Sequence, residues 1–204
     1  MNEFLMNMQP SFGKFLPVAL MVGVLAGFSV WLTVGWLSVA VAGWLGAVWA
    51  VFISWGLYFA GGAKFSRLHK YFFGLTGGIL FGWLTLVVYG WIQVYLGDPW
   101  ALPVTVFLAA TSIVLLELTN WFEYAPAYFL TYAGYFAFVF GGFAPGAPIE
   151  MAAIYFWILI LIGVAFGLVS ATLKEKMFDW MGVPKSQRQT VFDRENRGMY
   201  GLMQ

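Results

Sequence analysis

The chain has 204 residues, of which 62% are hydrophobic and 9% are charged, and its formal net charge is +1. Soluble domains contain roughly 25% charged residues, so this composition excludes a soluble globular domain and indicates an integral membrane protein. The chain has no cysteine, which excludes disulfides, thiolate catalysis and cysteine-ligated metal sites.

Stretches without charge divide the chain into membrane spans. Charged residues are absent from residues 15–63, 71–97, 99–116, 124–149 and 151–173. A bilayer core of about 30 Å needs roughly 20 apolar residues per helix, so the first stretch accommodates two spans and each of the others one. The predicted fold is an all-α, polytopic membrane helix bundle. Its six spans are expected at about 16–34, 38–60, 71–95, 103–121, 126–143 and 151–173, with the first connection around Gly35.

The basic residues predict which side of the membrane each loop occupies. All ten Lys and Arg residues lie before the first span, between the second and third spans, or after the sixth. Lys and Arg in short loops stay on the cytoplasmic side, so we expect both termini in the cytoplasm. Residues 1–15 are expected to lie along the membrane interface, and residues 174–204 to form a cytoplasmic tail.

The two halves of the membrane domain, about 16–95 and 103–173, have related sequence patterns. The tripeptide YFA occurs at 58–60 in the second span and again at 135–137 in the fifth, 77 positions later. Three spans per half predict a 3+3 inverted repeat, because an odd number of spans reverses the orientation of the second half. Inverted repeats place solute sites near the membrane midplane, between the halves.

Glycines four residues apart recur within the predicted spans. Glycine costs about 1 kcal/mol relative to alanine in a helix interior, and close helix contact is the usual compensation in membranes. Two interpretations remain open: tight packing alone, or a crossing of the third and sixth spans that leaves a narrow path beside the bare backbone. The glycines at this spacing are Gly23, Gly27, Gly74, Gly78, Gly82, Gly163 and Gly167.

Polar residues inside the spans are few. The spacing of Glu117, Asn120 and Tyr124 predicts one polar face at the cytoplasmic end of the fourth span. Burying a carboxylate in the membrane costs free energy unless an ion pair or water stabilises the charge. Glu117 is therefore expected either to line a solute path or to reach the interface. Tyr58 and Tyr135, which the repeat relates, are expected to line an aromatic constriction or to pack in the core.

The sequence predicts no enzyme. The single histidine, His69, lies in a basic loop without a carboxylate cluster at ligand spacing, which argues against a metal site. Phosphate loops, nucleotide fingerprints and nucleophile elbows do not occur in the sequence. We therefore predict no catalytic residue, metal, cofactor or nucleic-acid partner. The expected partners are the lipid bilayer and either further copies of the chain or other membrane helices.

Two runs of aromatic and small residues suggest a family. YFAGGAKF (58–65) and YFAFVFGGFAPGAP (135–148) resemble the YcdZ-like family of small bacterial inner-membrane proteins with a domain of unknown function. The resemblance spans roughly residues 18–176 and implies a small polytopic membrane protein, without a known activity or catalytic residue. A weaker, architectural similarity is to six-span urea and amide channels.

These patterns together predict a passive channel or facilitator for a small neutral polar solute of the urea, short amide, ammonia or water type. The alternative is a non-catalytic structural or assembly subunit of a larger membrane complex, whose glycine faces and 11 Trp contact helices, lipids or pigments. The solute path is expected to involve Tyr58, Gly78, Gly82, Glu117, Asn120, Tyr135, Gly163 and Gly167.

Overall fold

The described part of the chain is built from helices, as the sequence predicts. The computed structural model describes residues 10–40 and 43–188, and every regular element within those ranges is helical. Most of residues 1–15 and the end of the predicted tail lie outside the described residues. The main helices are α1 (Phe12–Ala40), α2 (Val48–Ala60), α3 (Leu68–Leu96), α4 (Ala101–Leu115), α5 (Ala125–Phe140) and α6 (Ile149–Trp180).

Four of these helices are long and apolar enough to cross a membrane. They are α1, α3, α6 and α4, the last together with the 3-10 turn that extends it to Leu118. The helices α2 and α5 are also apolar but have only 13 and 16 residues. Length and composition therefore indicate a helical membrane protein.

The first helix extends farther than the sequence analysis predicts. The connection expected around Gly35 is wrong, because Trp31–Leu37 forms a π-helical segment that continues into Ser38–Ala40. In lipid every backbone group needs a hydrogen-bond partner within the protein, so one glycine does not suffice to end such a helix. The chain turns instead near Gly43, which has a φ of +86°. The predicted second span, 38–60, is correspondingly shortened to α2.

Two helix pairs form the centre of the bundle. The helix α2 packs along α6, and α3 packs along α5, more extensively than any other pair. The helix α4 lies against α3, and α1 lies against α6. Only 11% of the membrane-length part of α1 is buried, so α1 is peripheral. The core between the two pairs includes Ala50, Val51, Tyr58, Ala127, Tyr135, Phe156 and Leu159.

The basic connections meet at one end of the bundle. A cavity there is lined by Lys64 from the α2–α3 loop together with Lys174 and Arg188 at the end of the sixth helix. Nearby, in the first turn of α3, Lys70 forms an ion pair with Glu123 from the α4–α5 connection. The basic residues that line this cavity and Lys70 thus lie at one end of the bundle.

Candidate functional site: two glycine seams

The first seam is the contact between α3 and α5. A methyl group added at Gly78 would overlap Thr131 Oγ1 and the backbone carbonyl of Tyr128. One turn later, a methyl group at Gly82 would lie 2.7 Å from Tyr135 Cδ1. Unrelated carbon atoms do not approach this closely, so only glycine allows the two helix backbones to come together here.

The second seam is the contact between α2 and α6. A methyl group added at Gly163 would overlap Ser54 Oγ and the backbone carbonyl of Val51, and one at Gly167 would lie 3.0 Å from Tyr58 Cδ1. Each of these glycines therefore has its own partner on α2, as Gly78 and Gly82 have on α5.

Four contacting residues of each seam have a counterpart in the other seam at a fixed sequence offset. The offset is 77 positions between α2 and α5, and 85 positions between α3 and α6. The same offsets hold for the contacting glycines, for the hydroxyl-bearing residue at each first contact and for the tyrosine at each second contact. The corresponding pairs are Gly78 with Gly163, Gly82 with Gly167, Thr131 with Ser54, and Tyr135 with Tyr58.

A side-chain hydrogen bond flanks each seam at corresponding positions. Trp55 Nε1 donates to Ser170 Oγ at 2.9 Å, linking α2 to α6. The hydroxyls of Thr85 and Tyr132 lie 3.0 Å apart, linking α3 to α5. Tyr132 follows Trp55 by 77 positions and Ser170 follows Thr85 by 85, so these polar contacts obey the same correspondence as the glycines.

The predicted path residues of the two seams come together in the centre, but the seams are filled. Tyr58 and Tyr135 are 2% and 0% exposed, and the Tyr135 hydroxyl donates to the Ile149 carbonyl at 2.8 Å. The space beside all four contacting glycines is occupied by the facing helix. Tight packing therefore describes the glycines, and the expected open space beside their backbone is not found there.

Glu117 and Asn120 lie apart from the seams. The helix α4 ends at Leu115, Glu117 follows in a 3-10 turn, and the extended backbone of Thr119 ends the helical path. Both Glu117 and Asn120 are exposed. The prediction that they share one helical face with Tyr124 is wrong. The helical path ends at Thr119, and Tyr124 lies in the connection just before α5. An exposed carboxylate at a helix end needs no buried partner.

A polar cavity that the sequence analysis missed lies at the basic end of the bundle. Its volume is about 240 Å³. The Tyr71 hydroxyl forms part of its wall and donates to the Tyr58 carbonyl at 3.3 Å, which links the cavity to the second seam. Burial raises the pKa of the Tyr124 hydroxyl. Three separate segments build this cavity, so no local pattern reveals it. Its walls comprise Gly61, Arg67, Lys70, Tyr71, Glu123 and Tyr124.

The buried polar side chains at the seams are uncharged in the described part of the chain. The buried non-aromatic polar residues are all serines and threonines, and no acidic or basic side chain is among the described buried residues that line the seams. Within the same ranges, no group of three or more His, Cys, Asp or Glu residues is suited to hold a metal ion. The chemistry available at the seams is therefore hydrogen bonding by uncharged hydroxyls. The serines and threonines are Ser29, Thr33, Ser54, Thr85, Thr105, Thr131 and Ser170.

Comparison with known proteins identifies a family. No curated protein and no solved structure matches the chain. The sequence profile of the family described as "Protein of unknown function (DUF1097)" matches residues 19–175. This range includes all of α2 to α5 and most of α1 and α6, so both seams fall inside the matched region. The chain therefore belongs to the DUF1097 family.

Proposed function

We propose that the chain crosses the membrane six times as a 3+3 inverted repeat, with α1–α3 and α4–α6 as the halves. The correspondence of the two seams supports this arrangement, because the same offsets relate the glycines, the hydroxyls and the flanking hydrogen bonds. Inverted repeats in transporters place their substrate site at the interface of the halves. The seams belong to that interface, since each joins a helix of one half to a helix of the other.

The helices α2 and α5 are too short to cross the membrane without adjoining non-helical segments. At 1.5 Å per residue, α2 is about 20 Å long, which is less than the roughly 30 Å hydrocarbon core. Non-helical backbone is tolerated at membrane depth where protein covers it. Leu45 and Ala47 before α2, and Ala144 after α5, are buried, which supports a crossing completed by protein-covered turns.

For the function, we infer a passive facilitator of a small neutral polar solute. The observation that carries this proposal is the pair of equivalent buried hydroxyl positions, Ser54 and Thr131, at an interface without buried charge in the described residues. Hydroxyls both donate and accept hydrogen bonds, so they suit a solute such as urea or a short amide. Pathways for ions or protons usually carry ionisable side chains or carbonyl rings instead.

The described conformation corresponds to the closed state of such a path. The Ser54 hydroxyl donates to carbonyls of its own helix at 3.2 and 3.3 Å, and the Thr131 hydroxyl does so at 2.8 Å. A solute would replace these bonds when α3 separates from α5 and α6 separates from α2. The polar cavity at Tyr71 provides the entrance on the basic side, next to the second seam.

The proposal is tested by solute flux into liposomes that contain the purified protein. Stopped-flow light scattering follows reswelling in urea, acetamide, glycerol and ammonia. We expect one of these solutes to enter faster than into empty liposomes. The double variant Ser54→Ala with Thr131→Val should lose that advantage, because it removes both hydroxyls at nearly constant shape.

A matched control is Ser112→Ala on α4. Ser112 is exposed and its hydroxyl also donates to the carbonyl four residues earlier, at 2.9 Å, so its loss should leave flux unchanged. Gly78→Leu is a poorer test, since the added side chain would overlap backbone as well as Thr131. Rates equal to those of empty liposomes for every solute would contradict the proposal.

The second candidate is an assembly subunit that contacts copies of itself or other membrane helices. The peripheral α1 favours it, because methyl groups added at Gly23 or Gly27 would meet no atom within 4 Å. The helix contact expected for these glycines is therefore not made within the described chain. Co-purification of another membrane protein in fixed ratio, without solute flux, would support this function. We also propose the narrower resemblances, to the YcdZ-like proteins and to six-span urea and amide channels.

A further inference from the structure

A long apolar groove lies between α1, α2 and α6, on the outer side of the second seam. Its volume is about 530 Å³, and its wall on α1 runs from Phe15 to Ala26. Eleven helical steps of 1.5 Å give this wall a length of roughly 16 Å. That length is about half of the 30 Å hydrocarbon core, so the groove is as long as one leaflet is thick.

The floor of the groove presents no unpaired polar group. Trp55 and Ser170 both line it, but they bind each other through the Nε1–Oγ hydrogen bond. Gly56 also lines the groove, and a methyl group added there would meet no atom within 4 Å. The floor therefore suits a flexible hydrocarbon chain and offers little to a polar solute.

Positive charge lies at one end of the groove. Lys174 lines both the groove and the adjoining cavity of about 340 Å³, which also contains Lys64, Arg188 and the carboxylate of Glu175. Arg188 is already bound to Asp179 and Glu175. Lys174 forms no ion pair with the described residues, and its ammonium lies 5.8 Å from the Phe178 ring centre.

We propose that this groove binds an anionic phospholipid of the leaflet at the basic end, with one acyl chain along α1 and the phosphate beside Lys174. The apolar floor and the leaflet-length wall match the acyl chain of such a lipid. The cationic end matches its phosphate. A zwitterionic lipid would fill the groove but gain less from Lys174, and a helix from a second copy would not explain the charge at the end.

The test uses the full chain in mild detergent and native mass spectrometry with phosphatidylglycerol or phosphatidylcholine carrying the same acyl chains. The wild type is expected to retain one phosphatidylglycerol in preference to phosphatidylcholine. The variant Lys174→Gln should weaken phosphatidylglycerol binding about fivefold, since one basic side chain near an anionic headgroup contributes about that factor. It should weaken phosphatidylcholine binding by a smaller factor, because the choline cation offsets the phosphate charge.

A second variant tests the groove itself. Gly56→Leu adds a side chain whose first carbon meets no atom within 4 Å, and it should reduce binding of both lipids. Gly90→Leu is the matched control, because Gly90 is also an exposed helical glycine with no atom within 4 Å of an added methyl group, but lies on α3. Equal retention of the two lipids by the wild type would overturn the proposal. So would equal lipid binding by Gly56→Leu and Gly90→Leu, or a protein dimer that Gly56→Leu dissociates while lipid binding persists.

Discussion

Gly78 lies so close to Thr131 that α3 and α5 leave no room for a side-chain carbon between them. Gly163 has the same relationship to Ser54 in the second seam. Small residues stabilise membrane helix pairs by allowing such backbone approach. The two equivalent contacts therefore hold the halves of the proposed repeat together. The solute proposal requires both contacts to separate.

Gly78→Ala and Gly163→Ala should each destabilise the protein by about 1–3 kcal/mol, because the added methyl group overlaps a backbone carbonyl that cannot rotate away. Unfolding of the purified protein in detergent measures this change. Gly90→Ala should instead be neutral or stabilising by up to about 1 kcal/mol, since alanine favours the helix and nothing obstructs the methyl group. Equal stability of all three variants would contradict the close approach at the seams.

The hydrogen bond between Trp55 and Ser170 should appear as an energetic coupling. In a double-mutant cycle with Trp55→Phe and Ser170→Ala, we expect a coupling of about 0.6 kcal/mol and at most about 1.7 kcal/mol, the average and the maximum found for hydrogen bonds between membrane helices. Unfolding free energies of the two single variants and the double variant supply the cycle. Pairing Trp55→Phe with Ser112→Ala should give no coupling, and an equal value for both pairs would rule out a specific bond.

Arg188 should hold the segment after α6 against that helix. Its guanidinium donates to Asp179 at 2.6 Å and to the Val183 carbonyl at 2.8 Å, and its side chain is only 9% exposed. The hydrogen bond to Asp179 raises the pKa of Arg188, because the carboxylate stabilises the charged guanidinium. Arg188→Ala is expected to speed cleavage of this segment by chymotrypsin, which does not cut at arginine. Lys185→Ala, which changes an exposed residue, should not.

The order and type of the helices could be predicted from the sequence, since charge-free stretches mark apolar segments wherever they occur. The residues at which the helices end were harder to predict. Gly35 was interpreted as a turn, but a glycine in an otherwise apolar helix keeps its backbone hydrogen bonds, and the chain turns only near Gly43. For Glu117 the sequence leaves two positions open, lining a solute path or reaching the interface, because the predicted span runs through Thr119, where the structure has extended backbone.

The glycines and tyrosines of the seams could be identified from their spacing, but their partners could not. Nothing in a single sequence shows that Gly78 meets Thr131 or that Gly163 meets Ser54, because these contacts depend on which helices become neighbours. The polar cavity at Tyr71 and the groove beside Lys174 were missed for the same reason. Each is built from segments that are distant in the chain.

Both proposals about the seams depend on the opposite orientation of the two halves, which cysteine labelling tests most directly. The chain has no native cysteine, so single substitutions report one site each. Ser66 in the α2–α3 loop and Pro145 in the α5–α6 loop are both exposed and occupy comparable places in the two halves. Ser66→Cys should react with a membrane-impermeant maleimide only from the cytoplasmic side, and Pro145→Cys only from the opposite side. Labelling of both cysteines from the same side would contradict the inverted repeat.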